Sequence, residues 1–345
     1  MELYVRIRKK LRDFELDVEF TAHDEVFALL GASGCGKSMT LKIIAGIETP
    51  DAGQVILNGR TLFDSDAKIN LPPQARRVGY LFQNYALFPN MTVAENILFA
   101  AVGTRDEKNF KLKENLSRFK LGGLENSYPR ELSGGQQQRV AFARILASHA
   151  EILLLDEPFS ALDSYLKWQL ELELAEVFKA YGESAILVSH DRNEVFRLAD
   201  KVAVLNAGKL DALGSVHDIF NRPQTVATAL LTGCKNISVA RKIADDKIFA
   251  DDWQLTLTAK KIPDDLKFIG IRAHHLEQTS TAGENIFRFE VAQVVEDTFS
   301  YIVMIRVTNS AQMIRWEVDK NFWREIAGDE LFLHIPADKI ILLNR

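Results

Sequence analysis

The 345-residue chain has only two cysteines, Cys35 and Cys234, set far apart. That excludes a disulfide scaffold and fits a reducing compartment. Long apolar runs are missing too: stretches such as Ile152 to Leu155 fall far short of the ~20 residues that cross a bilayer. The opening Met1-Glu2-Leu3-Tyr4-Val5-Arg6 alternates charged with apolar residues and lacks the apolar centre of a signal peptide. There is no basic excess. Lys+Arg total 42 against 47 Asp+Glu, a net charge of -5, which argues against a general nucleic-acid binder. Low-complexity segments and strong repeats are also absent. A soluble cytoplasmic protein is expected, reaching a membrane only through a partner.

Hydrophobic residues make up 47% of the chain and charged ones 26%, enough to build real cores. The length suggests about two domains at roughly 150 residues each. Strand-like apolar runs occur at residues 4–8, 14–20, 26–30, 54–57, 79–83, 151–155, 185–189 and 202–205. Helical patterns at 37–45, 136–147 and 164–181 separate several of them, which predicts a largely parallel α/β sheet. Asn58-Gly59 predicts a tight turn, residues 64–77 read as loop, and 91–131 read as helical with breaks at Gly122-Gly123 and Pro129. Beyond about residue 235 short alternating runs predict a small all-β domain of barrel type. The expected domains are 1–232 and 235–345, hinged at Thr232-Gly233-Cys234, with a helical subdomain at about 84–150.

Gly31-Ala32-Ser33-Gly34-Cys35-Gly36-Lys37-Ser38 fits G-x-x-x-x-G-K-[ST] between a strand and a helix. Glycines let successive N–H groups turn inward, and the helix start adds its positive end. Lys37 would serve the β- and γ-phosphates and Ser38 a Mg²⁺ ion, so ATP and Mg²⁺ are the expected cofactors. Cys35 fills a variable position and reads as a tolerated small residue.

Two further strands end in chemistry. Ile152-Leu153-Leu154-Leu155 runs into Asp156-Glu157, at the sheet edge where α/β ligands bind. Alone, such acids often just solvate a loop. Paired with the phosphate loop, Asp156 would hold Mg²⁺ and Glu157 would polarise the water attacking the γ-phosphate. Ala185 to Ser189 leads into His190, which reads either as a structural hydrogen-bonder or as a γ-phosphate contact. Gln83 closes the strand at 79–82 and could reach Mg²⁺ or water. Finally, Leu132-Ser133-Gly134-Gly135-Gln136 opens a helix with small residues and free N–H groups, a second anion-seeking helix start.

In this order the motifs resemble those of nucleotide-binding subunits of ATP-binding-cassette (ABC) transporters, over roughly residues 1–230. The resemblance implies a P-loop NTPase cassette. It implies a head-to-tail homodimer in which Ser133, Gly134, Gly135 and Gln136 of one copy close over the phosphate held by Lys37 of the other. Asp163, in Ser160-Ala161-Leu162-Asp163, would act across that interface. Phe14 is placed by position as the adenine-stacking aromatic, a core aromatic being the equal alternative. Met39 stands where a hydroxyl residue is common after Ser38, without implying lost activity. Hydrolysis would drive a membrane permease from the cytoplasmic face, with an extracytoplasmic substrate-binding protein acting indirectly.

The segment from Arg76 to Pro89 resembles importer ATPases for oxyanions, iron, polyamines and sugars. Tyr85, Leu87 and Phe88 read as a permease-docking patch, or else as internal packing. The compact start, the insertion from Asn58 to Pro73 and the junction at Thr232 to Ser238 resemble the molybdate group most. Uptake of molybdate or tungstate is therefore the expectation; the alternatives are sulfate, iron or polyamine import, a non-transport ABC ATPase, or an oxyanion-sensing module. The C-terminal domain resembles the oligonucleotide-binding-like (TOBE/MOP-type) barrel of such importers. There Lys235, Arg241, Lys242, Lys261 and Arg272 could supply charge to an oxyanion, a solvated face being the default reading. His274-His275 are read as solvated or core-edge, since neighbours on a strand face opposite ways.

Overall fold

The protein, as a computed structural model, is described at all residues except 161, 182, 183, 281, 282, 308, 309, 311 and 327–329, with side chains also undescribed at 180, 181, 330 and 331. It divides into one unit of Met1–Val216 and another of His217–Arg345.

Among the described residues the first unit is built on eleven strands: β1 (Leu3–Lys10), β2 (Glu15–Ala22), β3 (Val26–Gly31), β4 (Ala52–Leu57), β5 (Arg60–Asp64), β6 (Ile69–Asn70), β7 (Val78–Leu81), β8 (Ile152–Asp156), β9 (Ala185–Ser189), β10 (Lys201–Asn206) and β11 (Lys209–Ser215). Its helices are α1 (Lys37–Ala45), α2 (Pro73–Arg76), α3 (Val93–Ala100), α4 (Arg105–Arg118), α5 (Gly134–Ala147), α6 (Ser164–Tyr181) and α7 (Arg192–Leu198). The strands form one sheet in the order β6-β5-β4-β1-β2-β11-β10-β3-β9-β8-β7.

This sheet is mixed, which corrects the largely parallel expectation. The parallel series is β10-β3-β9-β8-β7; beyond it, β11 touches β2 in parallel at one position, Lys209 opposite Asp17. The β4–β5 turn is Asn58-Gly59, both at positive φ, and β10–β11 turn through Ala207-Gly208 in the same way. Such short connections can join only antiparallel neighbours. Residues 64–77, expected as loop, contain β6 and α2.

β3, β8 and β9 are buried along their whole length because both sheet faces are covered. Ile152 and Leu154 join one core with α1, while Leu153 and Leu155 join the other with α5 and α6. Continuous apolar runs follow from that two-sided burial. All four strands that carry candidate residues run the same way, so their carboxyl ends share one edge of the sheet.

The second unit holds α8 (Val216–Asn221, beginning at the boundary) and α9 (Val226–Leu231), then β12 (Asn236–Ala244), β13 (Lys247–Ala250), β14 (Leu255–Thr258), β15 (Phe268–Ile271), β16 (Glu277–Gln278), β17 (Ile286–Glu296), β18 (Ser300–Arg306), β19 (Ile314–Asp319), α10 (Lys320–Ile326), β20 (Glu330–His334) and β21 (Ile341–Leu343). Among the described residues its strands form two five-stranded sheets, β14-β13-β12-β15-β21 and β16-β20-β17-β18-β19. They share an apolar core in which Trp253, Phe289 and Trp316 are buried. The unit is not purely β: α10 sets Trp323 against Trp316, ring centroids 6.0 Å apart.

Candidate functional site

Each residue of the glycine-rich loop has a visible reason. A Cβ on Gly31 would lie 2.5 Å from the Leu205 carbonyl oxygen, so only glycine fits. Gly34 and Gly36 take φ of 79° and 108°, in the left-handed region that glycine enters freely. Gly36 caps α1 without any side-chain hydrogen bond, leaving the first N–H groups of the helix for a ligand. Ala32, Ser33 and Gly34 are exposed. Lys37 is only 4% exposed, and its Nζ donates to the carbonyls of Gly31 (2.8 Å) and Ala32 (2.9 Å). Those weak neutral acceptors hold the ammonium over the loop, ready for a charged one.

Cys35 is buried with its Sγ 4.0 Å from Lys37 Nζ, and burial raises its thiol pKa. Met39 packs partly buried against the core below α1. Phe14 also packs on that core, with its ring edge beside Gly36 and Gly208. The aromatic therefore borders the phosphate loop while filling a core position.

Asp156 ends β8 with both carboxylate oxygens engaged. Oδ1 accepts from Ser38 Oγ at 2.7 Å and Oδ2 from the Tyr80 hydroxyl at 2.8 Å. A hydroxyl and a carboxylate oxygen meeting between two elements are hard donors of the kind Mg²⁺ takes, with waters and phosphate oxygens completing its shell. Among the described residues no group of three or more His, Cys, Asp or Glu could hold a metal; Gln83, also expected near the cation, donates instead to Ser160. Tyr80 was not foreseen. Its signal is parity: Tyr80 pairs with Leu154 on the adjacent strand, and Asp156, two residues further, projects from the same face. Burial, then the Asp156 charge, push the Tyr80 pKa up, so its hydroxyl remains a donor.

Glu157 turns the chain off the strand at φ 46°, an uncommon conformation for a side-chain-bearing residue. Its N–H donates to the Val188 carbonyl at 3.0 Å. Its Oε1 lies 3.1 Å from His190 Nδ1, so the ends of β8 and β9 deliver an acid and an imidazole to one point. Gln83 Nε2 donates to Ser160 Oγ (3.3 Å), which donates to the Glu157 carbonyl (3.0 Å). The structure thus brings together Lys37, Ser38 and Asp156 on one side and Glu157, His190 and Gln83 on the other.

The second glycine motif is bonded within itself. Ser133 Oγ accepts from Gln136 N at 3.3 Å, and Gln136 Oε1 accepts from Ser133 N at 2.9 Å, a reciprocal cap of α5. A Cβ on Gly135 would lie 2.6 Å from Leu166 Cδ2 on α6, whereas one on Gly134 meets nothing closer than 3.8 Å. Asp163 is exposed, and its Oδ1 accepts from the N–H groups of Tyr165 and Leu166 at the start of α6. The neighbouring Ala161 lies outside the described residues.

Of the two readings given for the residues after Gln83, docking or internal packing, Tyr85 takes the second. Its side chain is 5% exposed and belongs to the core, and Leu87 packs partly on that core. Phe82 and Phe88 are the exposed aromatics there, at 37% and 36%. Tyr85 and Ala86 hold positive φ because Arg144 donates to both their carbonyls, at 2.9 and 2.7 Å. Asn96, fully buried, accepts from Phe88 N and donates to the carbonyls of Phe88, Met91 and Thr92. Asn96→Ala is expected to lower stability by about 2 kcal/mol through these lost partners, read as a lowered urea midpoint with unchanged slope.

In the second unit, several cations suggested for an oxyanion are engaged with other groups. Arg272 donates to the carbonyls of Thr232 and Phe220. Lys242 pairs with Asp264 at 2.7 Å, and Arg241 with Asp251 at 3.3 Å. His274 and His275 occupy a short turn (Ala273–His275), not a strand, and their ring centroids are 4.4 Å apart. The strand-parity argument therefore does not apply to them.

A family model described as "ABC transporter" matches residues 13–160. The chain is 42% identical over 233 residues to the spermidine/putrescine import ATP-binding protein PotA of Methylococcus capsulatus, covering 66% of this chain and 57% of that protein. It is 41% identical over 248 residues to the sulfate/thiosulfate import ATP-binding protein CysA of Xylella fastidiosa, covering 67% and 69%. The matched part thus spans little more than half the length of the first relative. Among solved structures, the ATP-binding cassette MJ0796, a dimer in a post-hydrolysis state bound to ADP and Pi, superposes with a TM-score of 0.53. It is 28% identical, over 63% of this chain and 99% of that one.

Proposed function

The chain belongs to the import ATP-binding proteins of the ABC transporter family, and from that premise we propose that it hydrolyses ATP to power a membrane permease. The observation that carries this reading is the Glu157–His190 pair, 3.1 Å apart, on the same sheet edge as the Ser38–Asp156 pair. An acid held by an imidazole beside a phosphate loop is what activation of water for attack on a phosphoryl group needs.

In this reading Lys37 exchanges the carbonyls of Gly31 and Ala32 for β- and γ-phosphate oxygens. Ser38 and Asp156 hold the cation, which when bound neutralises charge on those oxygens. Glu157 accepts a proton as water forms a bond to the γ-phosphorus and the bond to the bridging oxygen breaks. His190 donates through Nδ1 to the Glu157 carboxylate and fixes its direction. Gln83, through Ser160, ties that carboxylate's backbone to the segment bearing Phe82 and Phe88, the proposed permease face. Ser133 to Gln136 and Asp163 serve the nucleotide of a second copy, an arrangement that the dimeric MJ0796 cassette supports by likeness. Phe14 stacks on the base. The protein works at the cytoplasmic membrane face as a peripheral subunit, consistent with no described helix being long and apolar enough to cross a membrane.

Polyamine uptake is the favoured cargo reading, supported by the PotA relative; sulfate stands second on the CysA relative. The molybdate expectation is replaced, since neither of these relatives is a molybdate importer. The test is twofold. Purified protein should release phosphate from Mg-ATP, and Lys37→Met should lose nucleotide binding. Deleting the gene should abolish uptake of labelled spermidine but spare sulfate and molybdate; loss of sulfate uptake alone would move the assignment to the second reading.

A further inference from the structure

The hydrogen bond between Tyr80 and Asp156 does something that the phosphate loop does not. A carboxylate at a strand end can rotate about its terminal bond, and a cation site needs it fixed. Ser38 Oγ alone cannot fix it, because that hydroxyl must itself turn toward the cation on binding. The neighbouring strand supplies the restraint: a phenol holds Asp156 Oδ2 at 2.8 Å, while Ser38 holds Oδ1 at 2.7 Å. Tyr80 is half-buried against the core, so its ring is set by packing and its hydroxyl is aimed. The same strand face continues two residues on to Phe82, whose ring lies 4.5 Å from that of Tyr80 between centroids. Gln83 follows directly.

We propose that Tyr80 is a positioning residue for the cation site: its hydroxyl fixes the Asp156 carboxylate so that Oδ1 faces Ser38, and its ring links that carboxylate to the Gln83 segment. The proposal rests on the reading of Ser38 and Asp156 as the cation holders. Outer partners of this kind set the direction and the effective basicity of a metal-binding carboxylate, and losing one weakens metal affinity about 10-fold or more. Movement of the exposed segment at Phe82 would reach the cation through the two neighbouring rings, without passing through Glu157.

The experiment uses the full-length chain and Mn²⁺ as a paramagnetic stand-in for Mg²⁺, with a non-hydrolysable ATP analogue present. Free Mn²⁺ is measured by electron paramagnetic resonance for the wild type and for Tyr80→Phe, which removes one oxygen and keeps the ring. The expected result is a Mn²⁺ dissociation constant raised about 10-fold, with analogue affinity in EDTA unchanged within about twofold. Thermal melting in EDTA provides the control. A lowered apo melting temperature with an unchanged Mn²⁺ constant would make the bond merely structural and overturn the proposal. Equal Mn²⁺ affinity and equal melting would do the same. If wild type binds no Mn²⁺ with the analogue while Ser38→Ala behaves identically, the cation site itself is wrong and both readings fall.

Discussion

Replacing Glu157 with glutamine is expected to slow phosphate release from Mg-ATP by at least about a hundredfold while nucleotide binding survives, because general-base catalysis contributes roughly 10²–10⁴ in rate. The change is nearly isosteric. The new amide oxygen can still accept from His190 Nδ1, which meets the native carboxylate at 3.1 Å. The left-handed backbone at φ 46° is no harder for glutamine than for glutamate. What is lost is a site for the proton. Removing a negative charge near the γ-phosphate also relieves repulsion with bound ATP, so affinity should hold or rise. Trapped triphosphate should then favour the paired form, seen as an ATP-dependent shift to twice the mass in light scattering. His190→Ala should slow turnover as well, since the carboxylate loses its orienting donor, but without the same trapping. Near-normal turnover in Glu157→Gln would take the base role away from Glu157.

The parts of this site that could be seen in the sequence are those whose chemistry is local. Gly31 to Ser38 form one loop between one strand and one helix, so spacing alone carries the inference. Asp156-Glu157 and His190 announce themselves as polar residues ending fully apolar strands, and the strands are apolar because both faces are covered. Pairings between distant segments were harder to see. Tyr80 meets Asp156 only through the register of β7 on β8, and the antiparallel half of the sheet depends on which ribbon joins which. The sequence alone leaves Tyr85 open to docking or internal packing; its burial is decided by Arg144 and Asn96, which hold the turn from other helices. In the second unit, alternating runs pointed to a domain rich in strands. They could not show that the strands divide into two sheets, nor that Lys320–Ile326 would turn helical to cover Trp316.

Nothing in the sequence marks Arg76 as buried, and its replacement should be among the most damaging in the chain. Arginine is almost never fully buried unless paired, yet Arg76 is 0% exposed. Its Nε donates to the Leu71 carbonyl at 2.8 Å, one terminal nitrogen to the carbonyls of Ile43 and Ile44 at 2.8 and 2.9 Å, and the other to Asn70 Oδ1 at 2.8 Å. Ile43 and Ile44 belong to the last turn of α1, whose other end carries Lys37 and Ser38. The guanidinium therefore caps the carboxyl end of the phosphate-loop helix, where the helix dipole favours a cation. Burial lowers its pKa to about 10, still far above neutral, so the charge persists. No carboxylate pairs with it among the described residues; helix carbonyls do that work. Gly46 makes room, since a Cβ there would lie 2.5 Å from Arg76 Nε. Arg76→Met removes every donor and leaves buried carbonyls unmatched, at about 1–3 kcal/mol each where water cannot reach them. A loss of about 3 kcal/mol, or roughly 6–12 °C in Tm for a unit of this size, is the expected result in a thermal melt. Arg76→Lys should recover little, because one ammonium cannot reproduce a planar fork that reaches four acceptors. Nucleotide affinity should fall along with stability, since a helix released at one end no longer fixes Lys37 at the other. A melt of Arg76→Met that matched the wild type within a degree would show that α1 is held by its packing alone.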